Sequence, residues 1–263
     1  DTPADSAEYS DFLKKFIPKL ISFMKSKNGA DKRCFFHISD EPDDKLFEGY
    51  MRARNIVAPL LKGYPIIDAL SSYDIYSAGA VTAPICSTYF IEKFLENGVE
   101  GLWAYNCMEG AGISNRFISM PSQRNRIIGI QLYKYNIKGY LHWGYNFYYN
   151  QFSKDFVNPF ICTDGEYFTP SGDAFSVYPG RNGEPWNSLR LLVFSDALQD
   201  IRALTLCERI FGREYVENII GEDAPNITFK KYPRNADYIL ETREKIKAAI
   251  KYGTDCNNAQ NVL

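Results

Sequence analysis

The stretch RCFFHISDEPDD, residues 33–44, decides the fold of this chain. Its apolar centre is typical of a strand that is buried on both faces, and a run of carboxylates and one proline follows at once. In α/β barrels and open α/β sheets, functional residues gather at the carboxyl ends of the parallel strands. The sequence therefore predicts a parallel α/β fold with Asp40 and Glu41 at the end of a strand.

Patterns of strand and helix alternate on the carboxyl side of this stretch and indicate parallel βαβ units. Helical spacing of apolar residues predicts helices over 7–26, 113–136 and 188–212, with mostly helical sequence to about residue 251. Further short apolar strands are predicted at 65–70, 82–87, 98–107, 137–149 and 174–180. With 33–39 these strands are too few for an eight-stranded barrel. The fold is either an open doubly wound sheet or a barrel whose first strands lie upstream of residue 1.

The composition excludes several classes of function. The 263 residues contain 30 Lys and Arg against 32 Asp and Glu, so no basic surface for nucleic acid is expected. Uninterrupted apolar runs are too short to span a bilayer, and no membrane partner is expected. The opening DTPADSAEYS is polar, lacks an initiator Met and is no signal peptide, which leaves a secreted or a cytoplasmic location open. Aromatic residues make up 15% of the chain, which suits sugar binding but also ordinary cores.

The motifs of common cofactors and metals are missing from the sequence. The chain has 6 Cys and 2 His, and the cysteines at 34, 86, 107, 162, 207 and 256 form no C-x-x-C pair. A zinc cluster is therefore not expected, buried free thiols are favoured, and the disulfide status stays open. The glycine patterns of nucleotide-binding loops are absent, so we expect neither a cofactor nor a metal.

Asp40 and Glu41 are the sharpest candidates for chemistry. Two carboxylates at a strand end can divide the work, one staying ionised while the other acts as acid and base. The same residues also have a structural interpretation, because Ser39 or Asp40 can cap a helix that has Pro42 in its first turn. His37 lies within the predicted strand, where the pattern favours a satisfied core or supporting histidine over a general base.

Two later strands place tryptophan beside amide or hydroxyl groups. A sugar needs such a mixture, because an aromatic face covers its C–H side and polar groups bind its hydroxyls. Packing of the aromatic rings inside the fold explains either tryptophan equally well. The residues concerned are Trp103, Tyr105, Asn106, Trp143, Tyr145 and Asn146.

Three blocks of sequence together resemble the catalytic region of glycoside hydrolase family 123 (DUF4091). They are HISDEP at 37–42, KGYLHWGYNFY at 138–148 and YPGRNGEPWNSLRLLVFSDALQD at 178–200. The resemblance covers about residues 10–210. It implies a TIM-like (β/α)8 barrel preceded by a β-sandwich domain, and removal of terminal β-linked N-acetylhexosamine, with GalNAc favoured, from a carbohydrate.

The resemblance also explains the missing strands. If 33–39 is the fourth barrel strand, then 65–70, 82–87, 100–107 and 137–145 are strands five to eight, and 174–178 lies outside the barrel. We expect residues 1–212 to be a partial catalytic barrel and 213–263 a helical extension packed on it. The upstream strands and the sandwich domain would then belong to a missing N-terminal part of the same protein.

The resemblance implies retaining, substrate-assisted catalysis, in which the 2-acetamido group of the sugar is the nucleophile. Asp40 would orient that group, and Glu41 would be the acid and base. The residues expected to bind the sugar are His37, Trp103, Tyr105, Asn106, Trp143, Tyr145, Asn146, Tyr178 and Arg181. Two alternatives stay open: a conventional retaining glycosidase with Glu41 as acid/base and Glu109 as nucleophile, and a carbohydrate-binding protein without catalysis.

Overall fold

The structure is a computed structural model that describes residues 2–110 and 112–260, the last five of them by backbone alone. The side chain of Cys256 therefore lies outside the described residues. Two compact units follow one another along the chain, the first ending at Tyr105 and the second beginning at Asn106. None of the other five cysteines forms a disulfide, as favoured from the sequence, but only Cys86 and Cys207 are buried.

The first unit is a parallel α/β arrangement. Its strand β1 pairs with β2 in the register Ile67↔Ala83, and β2 pairs with β3 in the register Ile85↔Trp103, both in parallel. This confirms the parallel α/β class predicted from strand–helix alternation. The elements in chain order are α1 (Ala7–Ser26), α2 (Phe47–Val57), β1 (Ile67–Leu70), α3 (Tyr73–Ser77), β2 (Ala83–Ser87), α4 (Glu92–Glu96) and β3 (Trp103–Asn106), with short 3₁₀ helices at Ala30–Arg33 and Ala58–Leu61.

Helix α1 has the bounds that the sequence predicts. The hydroxyl of Ser6 accepts the backbone N–H of Tyr9 at 3.2 Å and satisfies one donor of the first turn. Leu13 and Ile17, four residues apart, form the buried stripe of the helix.

The predicted strand at 33–39 is reduced to a single parallel bridge between Phe36 and Ile66. Beyond Phe36, the backbone N–H groups of Ile38 and Ser39 donate to the side chain of Asp68 rather than to a neighbouring strand. The ladder stops because a side chain replaces the backbone as acceptor, which the apolar pattern of the sequence does not reveal.

The second unit is mainly helical. Its strands β5 and β6 form an antiparallel hairpin with Tyr178 opposite Trp186, and helix α7 begins after Ser188, whose hydroxyl accepts the N–H of Leu191. The elements are α5 (Ser122–Arg126), α6 (Ile128–Lys134), β4 (Gly139–His142), β5 (Val177–Pro179), β6 (Pro185–Asn187), α7 (Leu189–Phe211), α8 (Arg213–Gly221) and α9 (Ala236–Gln260), with a short 3₁₀ helix at Gln151–Ser153.

The long helix predicted over 113–136 is wrong over residues 113–121. Helix begins at Ser122, directly after Pro121, and is interrupted between α5 and α6 at Ile127. The preceding segment is held by side chains instead, since Asn115 Nδ2 donates to the carbonyls of Cys107 and Glu109 at 2.7 and 3.1 Å. Such local bonds compete with helical ones, and a proline suits the start of a helix better than its interior.

A buried aspartate in the second unit connects helices α5, α7 and α9. The carboxylate of Asp200 on α7 is buried and accepts from Arg126 Nε and Nη2 at 2.7 and 3.0 Å and from Arg243 Nη1 at 3.0 Å. One buried anion therefore links three helices through charged hydrogen bonds. The apolar core cluster of this unit includes Ile127, Ile130, Leu204, Cys207, Val216, Ile220, Ile227, Tyr238 and Ile246.

The complete eight-stranded barrel and the predicted domain boundary at residue 212 stay predictions. What is shown is an α/β fold.

Among the described residues, every helix is too short or too polar to cross a bilayer.

Gly129 sets the distance between α6 and α7. A Cβ atom at this position would lie 2.4 Å from the backbone oxygen of Ala197. Gly129→Ala should therefore lower the free energy of unfolding by about 1–3 kcal/mol, because backbone must move to make room. Gly221→Ala on α8 is the matched control, since its Cβ would meet nothing within 4 Å. Urea unfolding measures both, and equal stability of the two variants would contradict the prediction.

Candidate active site

The buried carboxylate of Asp68 lies at the base of the segment that carries Asp40 and Glu41. Asp68 stands in β1 with 0% of its surface exposed. Its Oδ1 accepts the backbone N–H groups of Ile38 and Ser39 at 3.2 and 3.3 Å, and its Oδ2 accepts the hydroxyl of Tyr50 on α2. Burial raises the pKa of Asp68, and these hydrogen bonds oppose that rise by stabilising the ionised form.

Asp40 and Glu41 are both exposed and directly follow the residues held by Asp68. The backbone of Glu41 has φ +40°, in the left-handed region that a non-glycine residue seldom occupies. Such a conformation costs about 1–3 kcal/mol and is found preferentially at functional sites. The hydroxyl of Tyr105, at the carboxyl end of β3, donates to Glu41 Oε1. A buried phenol therefore orients the carboxylate of this strained residue.

His37 and Trp103 are the other predicted residues of the first unit. The Nδ1 atom of His37 contacts Asp68, and the side chain of His37 is 53% exposed. Trp103 is half-buried and packs edge-on against Phe35, with ring centroids 5.2 Å apart. The structure thus links Glu41 to Tyr105 and His37 to Asp68, and it gives Trp103 an aromatic neighbour.

In the second unit, a buried aspartate orients the predicted Trp143. Asp173 is 0% exposed and accepts the indole Nε1–H of Trp143 at 2.8 Å. Its other oxygen lies 3.1 Å from Nε2 of His142. Burial lowers the pKa of His142, and the other ring nitrogen, Nδ1, lies 2.8 Å from the carbonyl of Gly144. The indole ring is consequently fixed by a polar contact.

The predicted Asn106 is fully buried. Its Oδ1 accepts the hydroxyl of Tyr140 at 2.5 Å, and its Nδ2 donates to the carbonyl of Ser114 at 3.2 Å. Arg116 Nη2 donates to the same Tyr140 hydroxyl at 2.8 Å. These bonds stabilise the loop after β3, and a direct contact of Asn106 with a sugar stays a prediction.

Tyr145 and Asn146 are exposed and lie three and four residues after the end of β4. The carbonyl of Tyr145 accepts the N–H of Ser176 at 2.8 Å, and Asn146 forms an antiparallel bridge with Phe175. Backbone pairing therefore anchors both residues and leaves their side chains at the surface.

Tyr178 and Arg181 belong to the β5–β6 hairpin. The half-buried ring of Tyr178 contacts the rings of Phe160 and Phe175, each at a centroid distance of 5.1 Å. Trp186 lies opposite Tyr178 and donates its indole N–H to Glu184 at 3.0 Å. Arg181 is exposed between the two strands. The hairpin thus carries an aromatic surface with charged groups at its turn.

Glu109, the nucleophile of the conventional alternative, is engaged by its own loop. Its Oε2 accepts the backbone N–H of Cys107 at 2.6 Å. This bond fixes the turn after β3 and provides Glu109 with a structural function.

The aspartates that organise these residues are not among the residues predicted from the sequence. Asp68 is the one charged residue of the apolar stretch PIIDAL, and a charge at such a place signals a buried, satisfied group. Asp173 lies in an irregular stretch where no periodic pattern marks it. In the part of the chain that the structure describes, His, Cys, Asp and Glu side chains form no group of three or more that could hold a metal ion.

Comparisons with known proteins give a matching family model and a solved structure of similar fold. The family model described as "Glycoside hydrolase 123, catalytic domain" matches residues 1–207. The fold is similar to the solved structure of a family 123 glycoside hydrolase from Clostridium perfringens, from work on glycolipid glycan hydrolysis. The TM-score is 0.64 at 17% identity, covering 99% of this chain and 47% of that chain, so this chain spans about half of its length. A search of curated proteins gives no match.

The lowered pKa of His142 makes stability depend on pH. Between the ordinary value of about 6.5 and the lower folded value, the unfolded chain binds a proton that the folded chain does not. The free energy of unfolding should therefore decrease as the pH falls through this window, and His142→Gln should flatten that decrease. Urea unfolding at several pH values tests this. An NMR titration that placed the pKa of His142 at or above about 6.5 would contradict it.

Proposed function

The chain belongs to glycoside hydrolase family 123, and we propose on that basis that it removes terminal β-linked N-acetylhexosamine from glycans, GalNAc in preference to GlcNAc. The proposed mechanism is retaining and substrate-assisted. The observation that carries it is the pair of adjacent exposed carboxylates, Asp40 and Glu41, the second strained and hydrogen-bonded to Tyr105.

The adjacency of Asp40 and Glu41 favours substrate-assisted catalysis. A conventional retaining glycosidase needs two carboxyl groups about 5 Å apart on opposite sides of the scissile bond. Neighbouring residues at one strand end are poorly placed to face each other across a sugar. If the 2-acetamido oxygen of the substrate attacks the anomeric carbon, the protein needs no nucleophile of its own.

The two carboxylates then have separate tasks. Asp40 orients the acetamido N–H and stabilises the positive charge of the oxazolinium intermediate. Glu41 protonates the departing oxygen and afterwards takes a proton from the water that opens the intermediate. The hydroxyl of Tyr105, donating to Oε1, holds the Glu41 carboxyl in one orientation for both steps.

The sugar-binding role of the remaining predicted residues is part of the proposal. Trp143 is the best supported of them, because Asp173 fixes its indole and an aromatic face held in place can stack on a pyranose ring. Trp103, Tyr145 and Arg181 offer further aromatic and polar groups at or near the surface. Since the Clostridium perfringens enzyme was studied for glycolipid glycans, glycans on lipids are included among the proposed substrates.

Hydrolysis of aryl glycosides tests the proposed activity in the complete protein that carries this chain. Aryl β-GalNAc should be hydrolysed faster than aryl β-GlcNAc, and a thiazoline that mimics the oxazoline should inhibit strongly because it resembles the intermediate. Activity with little thiazoline inhibition would favour the conventional alternative with Glu109. Folded protein that binds the sugar in calorimetry but turns over neither substrate would favour the carbohydrate-binding alternative.

Substitution of the two carboxylates tests their separate tasks. Glu41→Gln should reduce kcat strongly for poor leaving groups and much less for activated aryl glycosides, which need little protonation. Azide should rescue its second step and give a β-azide. Asp40→Asn should reduce kcat for every leaving group without rescue, because the charge opposite the oxazolinium is lost. The measurements are kcat over a series of leaving groups, with and without azide.

Asp44→Asn is the matched control for these substitutions. It removes an exposed carboxylate three residues after Glu41 and should leave kcat within about twofold of wild type. Azide rescue and leaving-group dependence in Asp40→Asn, with neither in Glu41→Gln, would show that the two roles are reversed.

A further inference from the structure

We propose that Asp68 is a positioning residue of this active site, whose buried carboxylate fixes the chain that presents Asp40 and Glu41 and sets the orientation of His37. The inference rests on the proposed function, because it assigns Asp68 a part in the same reaction. Asp68 would act through these residues without touching the substrate.

The first support is the point at which strand pairing ends. Phe36 N donates to the Pro65 carbonyl at 3.0 Å, and Ile67 N donates to the Phe36 carbonyl at 2.9 Å. In a continuing parallel ladder the next bond would run from Ile38 N–H to the carbonyl of Ile67. Ile38 donates instead to Asp68 Oδ1 at 3.2 Å. Regular strand pairing therefore ends just before Asp40 and Glu41.

The second support is the way in which Asp68 replaces that ladder. Its Oδ1 also accepts Ser39 N–H at 3.3 Å, and Ser39 is the residue directly before Asp40. Its Oδ2 is bound by Tyr50 on α2, so the carboxylate cannot rotate without losing a bond. Two consecutive N–H groups on one oxygen fix the direction in which the chain leaves the sheet.

The third support is His37. Its Nδ1 lies against Asp68 Oδ1, so the neutral ring carries its proton on Nδ1 and leaves Nε2 as an acceptor. The side chain is 53% exposed, which makes that acceptor accessible to a sugar hydroxyl. Nδ1 also lies 3.2 Å from the carbonyl of Ile67, so without Asp68 it would keep only that contact and the ring would be held less firmly in this orientation.

Precise placement matters here because Glu41 is strained. Its φ of +40° needs support from its surroundings, and the residues before it are held by Asp68. A shift of about 1 Å in a catalytic group can reduce the rate about 100-fold. Loss of the Asp68 carboxylate should therefore reduce kcat more than it weakens substrate binding.

Kinetics of three variants in the complete protein test the proposal. Asp68→Ala should lower kcat for an activated aryl β-GalNAc about 100-fold while KM changes within about threefold. Asp68→Asn, which keeps one acceptor oxygen, should retain more activity than the alanine variant. Tyr50→Phe is the comparison: it removes one donor to the same carboxylate but not the bonds to Ile38 and Ser39, so it should lower the melting temperature and reduce kcat much less than Asp68→Ala does.

A second measurement does not depend on activity. Amide hydrogen exchange should show Ile38 and Ser39 protected in the wild type and Tyr50→Phe, and exposed in Asp68→Ala, while Ile85 in β2 stays protected in all variants. Nitrogen-15 spectra of the neutral His37 ring should show the Nδ1–H tautomer in the wild type and a smaller share of it in Asp68→Ala, where the Ile67 carbonyl is the remaining acceptor. If Asp68→Ala does not fold, Asp68→Asn is expected to show the same changes in weaker form.

The two sets of results separate the failure of this inference from the failure of the proposed function. Absence of hydrolysis by a folded wild type would overturn the proposed function. Amide hydrogen exchange of Ile38 and Ser39 and the tautomer of His37 would still decide whether Asp68 positions the segment. Unchanged protection of Ile38 and Ser39 in a folded Asp68 variant, or a kcat for Asp68→Ala equal to that of Tyr50→Phe, would overturn the positioning role.

Discussion

The hydrogen bonds to the buried Asp68 carboxylate are the constraint on which the candidate active site depends. A carboxylate without solvent exposure is destabilising unless donors surround it, and here two backbone N–H groups, a phenol and an imidazole do so. Because those donors come from the segment after Phe36 and from α2, burying one charge brings both to β1. A hydrophobic residue at this place would fill the space but could not end the strand ladder where it ends now.

The second unit contains two further buried aspartates that several donors satisfy. Asp173 fixes the indole of Trp143, and Asp200 joins α5, α7 and α9 through two arginines. In each case a buried anion is satisfied by several donors from distant parts of the sequence, and removing it would leave those donors unpaired. The apolar core supplies most of the favourable free energy of folding, whereas these aspartates determine which side chains are held in a fixed orientation.

Sequence patterns located most of the helices and strands, because apolar periodicity and capping residues are local features of the sequence. Helix α1 and helix α7 have the predicted bounds within a residue, each with a serine cap, and β1, β2 and β3 lie where short apolar runs predicted them. The two failures share a cause. At 33–39 and at 113–121, side chains compete for backbone hydrogen bonds, through Asp68 in one case and Asn115 in the other. Apolar periodicity cannot show such competition.

The sequence by itself determined the α/β class, the adjacent carboxylates and the family, because these depend on residue types and spacings along the chain. Only the tertiary structure decided that Glu41 has a left-handed backbone and meets the hydroxyl of Tyr105. It also decided that Asn106 is buried and that Asp68 and Asp173 orient their neighbours. The physical reason is distance along the chain: Asp68 lies 30 residues from Ile38 and Tyr105 lies 64 from Glu41, so only folding brings each donor to its acceptor.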